Sequence, residues 1–168
     1  MTDGLAERLL AASELHGDFV LSSGKRSKTY FDKFRFLTDP TLLAETAGAV
    51  AALLPPSSTH LAAPEGAATL LVAAVALRTG LPIAVVRKEP KSYGTMSQVE
   101  GHAPAGAHVA LMEDVSTTGH QVLAAARALE AVGCIVDVIL LAIDRGGADQ
   151  LRSAGFRVDA VVEVRPAD

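Results

Sequence analysis

From residue 60 onward the chain alternates short, nearly unbroken apolar runs with helical segments, and this pattern limits its folds more than any other feature. His60-Leu61-Ala62-Ala63, Ile83-Ala84-Val85-Val86, His108-Val109-Ala110-Leu111-Met112, the run 135–143 and Val158-Asp159-Ala160-Val161-Val162 read as strands. Between them lie an Ala-rich helix to about Arg78, ended by Gly80, a helix over 121–132 ended by Gly133, and a short helix over 149–154. Strands that are apolar on both faces need cover on both faces. With helices between them they predict an α/β fold, a central, mostly parallel sheet flanked by helices. In such sheets ligands bind beyond the carboxyl ends of the strands. The segments after Ala63, Val86, Met112 and Ile143 are therefore where function is expected.

The first third is organised differently. Leu5, Leu9, Leu10 and Ala12 fall at helical spacing behind Asp3, predicting a helix over 3–16. Phe19-Val20-Leu21 and Thr29-Tyr30-Phe31 read as two short strands turned at Ser22-Ser23-Gly24. Asp39-Pro40 opens the next helix with a cap and a proline at its first position, and Pro55-Pro56 stops it. The polar stretch from Lys88 to Gly106 is too long for a minimal connection and predicts a mobile functional loop. A length of 168 residues suits one domain, with an N-terminal unit over about 1–36 and a core over about 37–168.

Composition narrows the function classes. A formal net charge of -4 argues against a broad electrostatic grip on nucleic acid. It leaves room for a small phosphate ligand, which local amides and a few cations can hold. Cys134 is the only cysteine, so no internal disulfide forms, and its apolar surroundings predict a buried reduced thiol. The longest apolar run, 67–77, ends at Arg78 and is too short for a bilayer. Met1-Thr2-Asp3-Gly4 lacks the basic start of a signal peptide. The expectation is a soluble, cytoplasmic protein with no nucleic-acid or membrane partner. No His/Asp cluster marks a metal site made by dedicated protein ligands.

After Met112 the chain reads Glu113-Asp114-Val115-Ser116-Thr117-Thr118-Gly119-His120-Gln121. Two carboxylates close a buried strand, and three hydroxyl residues and a glycine open a helix. Hydroxyls and free amides at a helix N-terminus bind phosphate, Gly119 admits close backbone approach, and paired acids can accept hydrogen bonds from neighbouring sugar hydroxyls. The local pattern equally fits Ser116 or Thr117 capping the helix, with the acids complementing its dipole. After Val86 comes Arg87-Lys88-Glu89-Pro90-Lys91-Ser92-Tyr93-Gly94. Three cations in five residues suit a charged leaving group such as pyrophosphate, or simply a solvated loop.

The acid pair with its Thr-Thr-Gly loop resembles the motif by which type I phosphoribosyltransferases bind 5-phosphoribosyl 1-pyrophosphate (PRPP). The Arg-Lys-Glu…Lys run resembles the catalytic loop of the orotate phosphoribosyltransferases. Residues 19–32, Phe-Val-Leu-Ser-Ser-Gly-Lys-Arg-Ser-Lys-Thr-Tyr-Phe-Asp, are similar to the N-terminal signature of that orotate group, and Asp144-Arg145-Gly146-Gly147 stands where the group has Asp-Arg. The resemblance runs from about Leu5 to Val164 and implies the type I phosphoribosyltransferase fold with a small N-terminal hood. It implies conversion of orotate and PRPP to orotidine 5-monophosphate and pyrophosphate, a step of pyrimidine (UMP) biosynthesis, with Mg2+ bound mainly through PRPP. A homodimer is implied by a loop shared between subunits.

Residue by residue, the resemblance assigns Glu113 and Asp114 to the ribose, and Ser116, Thr117, Thr118, Gly119 and His120 to the 5-phosphate. Arg87 and Lys88 go to pyrophosphate, and Lys91 is the catalytic lysine, with Asp114 also in the catalytic set. Tyr30, Phe31, Thr117 and Arg145 go to the base, where the two-pronged Arg145 guanidinium suits a planar carboxylate. The sequence departs from the family pattern at His120 and Gln121, at Tyr93, at Ser22 in place of a lysine, and at Glu65. Glu65 stands in the loop expected to approach pyrophosphate, where an acid would repel it unless Mg2+ lay between them. A transferase for another base and a non-catalytic PRPP or nucleotide sensor are the rival readings.

Overall fold

The computed structural model describes residues 4–20, 24, 26–90 and 97–164. In chain order the elements are α1 (Leu5–Ser13), β1 (Glu14–Val20), β2 (Arg26–Phe31), α2 (Phe34–Leu37), α3 (Pro40–Ala52), β3 (His60–Pro64) and α4 (Ala68–Thr79). They continue with β4 (Ile83–Val86), β5 (Val99–Gly101), β6 (His108–Ser116), α5 (His120–Ala131), β7 (Ile135–Asp144), α6 (Ala148–Ser153) and β8 (Val158–Glu163). Six strands form the central sheet in the order β5-β4-β3-β6-β7-β8, and β1 and β2 form a separate hairpin. Every pairing in the central sheet is parallel except β4 with β5.

The apolar runs explain this arrangement. Side chains alternate faces along a strand. Ala110, Met112, Leu140 and Ala142 enter one core with Leu9, Val50, Leu71 and Val75 from α1, α3 and α4. Val109, Leu111, Ile139 and Leu141 enter the other with Val122, Ala126, Leu129 and Leu151 from α5 and α6. Both faces of β7 are thus buried, and Val138 through Ile143 have no exposed surface. The helix at Asp39-Pro40 starts as expected: the Asp39 carboxylate accepts from the Thr41 and Leu42 amides, both at 2.9 Å.

Three expectations are corrected. The first helix ends at Ser13, because Glu14-Leu15-His16 pair with Phe31-Tyr30-Thr29 as the start of a longer hairpin strand. That hairpin exposes most of both faces, so it carries no apolar alternation to read. The stretch 88–106 is not wholly loop, since Val99–Gly101 adds an antiparallel edge strand to β4. The strand expected to end at Met112 runs on to Ser116, where it still pairs with Asp144. The short helix α2 also went unread. It buries Phe36 and Leu37 in the same core as α1.

Strand order fixes where a ligand can sit. After β3 the chain crosses to β4 on one side, and after β6 it crosses to β7 on the other, while β3 and β6 are neighbours. Such a reversal opens a crevice beyond the carboxyl ends of the two strands. There Gln121 at the start of α5 donates from Nε2 to the Glu65 carbonyl at 3.4 Å.

Candidate active site

The phosphate-type loop is built on backbone contacts. Gly119 begins α5 in the left-handed region at φ 75, and a Cβ there would lie 2.8 Å from the Gly147 carbonyl oxygen. From the other side, a Cβ on Gly147 would meet Ser116 Oγ at 2.0 Å and the Gly119 nitrogen at 2.9 Å. The Arg145 amide donates to the Ser116 carbonyl at 2.7 Å. Asp144 Oδ1 accepts from the Gly146 and Ala148 amides, each at 3.1 Å, and so shapes the turn that presses on the loop. The two turns after β6 and β7 therefore fit together only because glycine occupies both.

Gly119 at the N-cap offers no side chain, the Thr118 hydroxyl accepts from the His120 amide at 3.5 Å, and among the described residues Ser116 Oγ is buried with no hydrogen-bond partner. The capping reading therefore fails for Ser116. What remains is a polar cleft of about 130 Å³ lined by Lys33, Glu113 and Val115 through Val122, at the N-terminus of a twelve-residue helix whose first amides lack intrahelical partners. That is the physical description of an anion site.

The two acids differ in environment. Glu113 lines the cleft. Burial first, then the neighbouring Asp114 carboxylate, push the Glu113 carboxyl up to about 8, against an opposing pull from Lys33. Glu113 therefore holds a proton at higher pH than an ordinary carboxyl, and its ionised, hydroxyl-accepting form depends on nearby positive charge. Asp114 points to the opposite face, has no exposed surface, and forms an ion pair with Lys33 at 3.0 Å. Sequence reading missed Lys33. It lies 81 residues from Asp114 and no local pattern links the two.

At the root of the 88–106 stretch, Glu65 is engaged rather than aimed at the crevice. Its Oε1 accepts from the Lys88 amide at 2.8 Å and its Oε2 lies 3.9 Å from an Arg87 guanidinium nitrogen. Gln98 grips the same root, donating from Nε2 to the Arg87 carbonyl at 3.0 Å. The expectation of bare acid repulsion at Glu65 is corrected by these partners. Arg87, Lys88, Gln98, His120 and Gln121 line a second cavity of about 360 Å³, and His120 and Gln121 are common to both cavities. Lys91, Tyr93 and Ser22 lie outside the described residues.

The base residues separate. The Arg145 guanidinium stacks over the Phe31 ring, 4.6 Å from its centroid. Tyr30, next along the strand, faces the other way, is 43% exposed and packs on Phe19 at 5.5 Å. Phe31 and Arg145 are brought together, and Tyr30 is not with them. Thr117 lines the phosphate cleft between Arg145's turn and α5. Among the described residues no three His, Cys, Asp or Glu side chains converge to hold a metal ion, and no helix is long and apolar enough to cross a membrane.

Comparison with known proteins gives the same picture. No family model matches the chain. The chain is 40% identical to the orotate phosphoribosyltransferase of Thermococcus gammatolerans, covering 96% of this chain and 89% of that protein. It is 42% identical to that of a Nocardioides species, covering 96% and 88%. The crystal structure of the Aeropyrum pernix orotate phosphoribosyltransferase superimposes with a TM-score of 0.81 at 33% identity, covering 95% of this chain and 93% of that one. The Mycobacterium tuberculosis enzyme in complex with PRPP gives 0.79 at 25% identity, covering 96% and 95%. Relatives at 40% and 42% identity over nearly the whole length carry the assignment, and the chain belongs to the orotate phosphoribosyltransferase family.

Proposed function

We propose that the protein transfers ribose 5-phosphate from PRPP to orotate, giving orotidine 5-monophosphate and pyrophosphate. The observation that carries this reading is the meeting, at one switch-point crevice, of a hydroxyl-rich loop at a helix N-terminus, a buried acid pair and an arginine stacked on an aromatic ring. The bond from the anomeric carbon to the pyrophosphate oxygen breaks, a bond from a ring nitrogen of orotate to that carbon forms, and the proton that this nitrogen loses passes to pyrophosphate or water. The electron pair of the broken bond leaves with pyrophosphate, so the protein's task is to hold the reactants and stabilise charge.

The residues divide that task. The amides and hydroxyls of Ser116 through His120 hold the 5-phosphate. Glu113 serves the ribose hydroxyls from the cleft wall, and Asp114, buried on the other face of β6, joins it by family resemblance. Arg87 and Lys88, aligned by Glu65 and Gln98, receive the pyrophosphate, and Lys91 adds a cation there by family resemblance. Arg145 meets the orotate carboxylate, with Phe31 against the ring. Mg2+ enters this reading as an ion carried in on PRPP and largely hydrated; among the described residues no three His, Cys, Asp or Glu side chains converge to hold one. On the substrate diphosphate that ion would neutralise leaving-group charge. A homodimer belongs to the same reading and is supported by α4, which leaves Leu70 39% and Leu77 91% exposed two turns apart. Residues 1–168 form one catalytic domain in this reading.

The direct test follows orotate absorbance after mixing protein, Mg2+, PRPP and orotate, with Lys91→Ala as control. Orotate loss that depends on Lys91 establishes reaction and substrate. PRPP binding without orotate loss would replace the reading with another base or a sensor.

A further inference from the structure

Lys33 is the cation that the site reading leaves unassigned. It stands immediately before α2, in the N-terminal segment, and reaches across to the strand that carries the acids. Its Nζ donates to Asp114 Oδ1 at 3.0 Å, and the same oxygen accepts from the Val115 amide at 2.6 Å. Among the described residues Asp114 Oδ2 is buried with no hydrogen-bond partner. The Lys33 side chain remains 39% exposed and forms part of the cleft wall beside Glu113. One lysine thus touches the buried acid and the open cleft together.

The other charges nearby are already accounted for. Glu113, on the same strand, is a like charge. Asp144, ending the adjacent strand, has its Oδ1 held by two backbone amides. Arg145, in the turn that follows, lies over Phe31. Among the described residues Lys33 is the cation paired with Asp114. A buried carboxylate stripped of its counter-ion is costly and takes up a proton instead.

We propose that Lys33 is a positioning residue for the ribose-binding acids: from the N-terminal segment it supplies the counter-charge of the Glu113-Asp114 pair, so that PRPP binding depends on this segment being docked. The proposal rests on the reading of these acids as ribose ligands. Without Lys33 the coupled pair holds its proton to higher pH, and hydroxyl-binding capacity is lost at neutrality.

The test is calorimetric titration of the full chain with PRPP and Mg2+ from pH 6 to 9, for wild type, Lys33→Met and Lys33→Arg, with thermal melting alongside. Lys33→Met is expected to weaken PRPP about tenfold at pH 7 and to move the pH midpoint of binding up by about one unit, with Lys33→Arg close to wild type. In an Asp114→Asn background the same Lys33→Met change should alter affinity less than about twofold, since coupled pairs are not additive. Should Lys33→Met fail to fold, Lys33→Gln, which keeps a donor without charge, carries the midpoint test. A lowered melting temperature with an unmoved midpoint would make Lys33 a structural pin and overturn the proposal. If Glu113→Gln and Asp114→Asn both keep wild-type PRPP affinity, the ribose reading itself fails. If they lose affinity while Lys33→Met keeps both affinity and midpoint, only the role of Lys33 fails.

Discussion

Replacing Gly147 with alanine tests whether the turn after β7 shapes the phosphate loop. Gly147 has φ -75 and ψ -23, which alanine adopts without strain, so the effect must be steric. The new methyl would lie 2.0 Å from Ser116 Oγ, about 1.4 Å inside ordinary contact. Rotating the serine hydroxyl does not relieve it, because Ser116 Cβ and the Gly119 nitrogen would each still be at 2.9 Å. The loop backbone has to move by several tenths of an ångström. Overpacking of this kind costs about 1–3 kcal/mol. If that cost falls on the phosphate-bound geometry, PRPP affinity drops by roughly 5- to 150-fold. PRPP titration by calorimetry and thermal melting of G147A, S116A and the double variant would separate the contributions. S116A should recover only part of the loss in G147A, since the clash with Gly119 persists. Wild-type PRPP affinity in G147A would refute the idea that the two turns are sterically interlocked.

Arg145→Ala should raise KM for orotate about tenfold or more and leave KM for PRPP within about twofold, the loss expected of a charge-assisted bidentate contact; equal rises in both would remove it from the base site. Glu65→Ala should raise KM for PRPP about fivefold by releasing the Lys88 amide and Arg87, while Glu65→Gln, still an acceptor for that amide, should lose less; identical losses in the two variants would show that charge alone matters. Glu113 gives a pH signature. Its folded-state value, about 8, lies above the ordinary 4.5, so the folded state binds the extra proton between them. The stability Glu113 contributes is full below about 4.5 and declines as pH rises toward about 8. Urea unfolding of Glu113→Gln should therefore lack part of the wild-type fall in stability between pH 5 and 8, and parallel curves would refute the shift.

The parts of this protein that were legible in its sequence are those whose physics is local. Unbroken apolar runs such as Ile139–Ile143 report burial on both faces, because each side chain must leave water wherever the strand is placed. Asp39-Pro40 marks a helix start because cap and amides lie within three residues of each other. The turn into α5 was readable for the same reason, since hydroxyls, Gly119 and helix start are contiguous over 116–121, whereas the polar end of β6 over 113–116 was not. The edge strand β5 and the first half of β1, read as helix, were not readable, since backbone pairing with a partner forms them and side-chain periodicity does not report it. Nor were the supports of the site. That Glu65 holds the Lys88 amide and that Gly147 must lack a side chain beneath Ser116 depend on β3 lying beside β4 and β6 beside β7, and that Lys33 pairs with Asp114 depends on the segment before α2 reaching β6. Hydrophobic periodicity and capping act over a few residues and leave their trace in the order of the letters. Counter-charge and steric exclusion act across a few ångströms of space, and only the packed sheet decides which distant residues come that close.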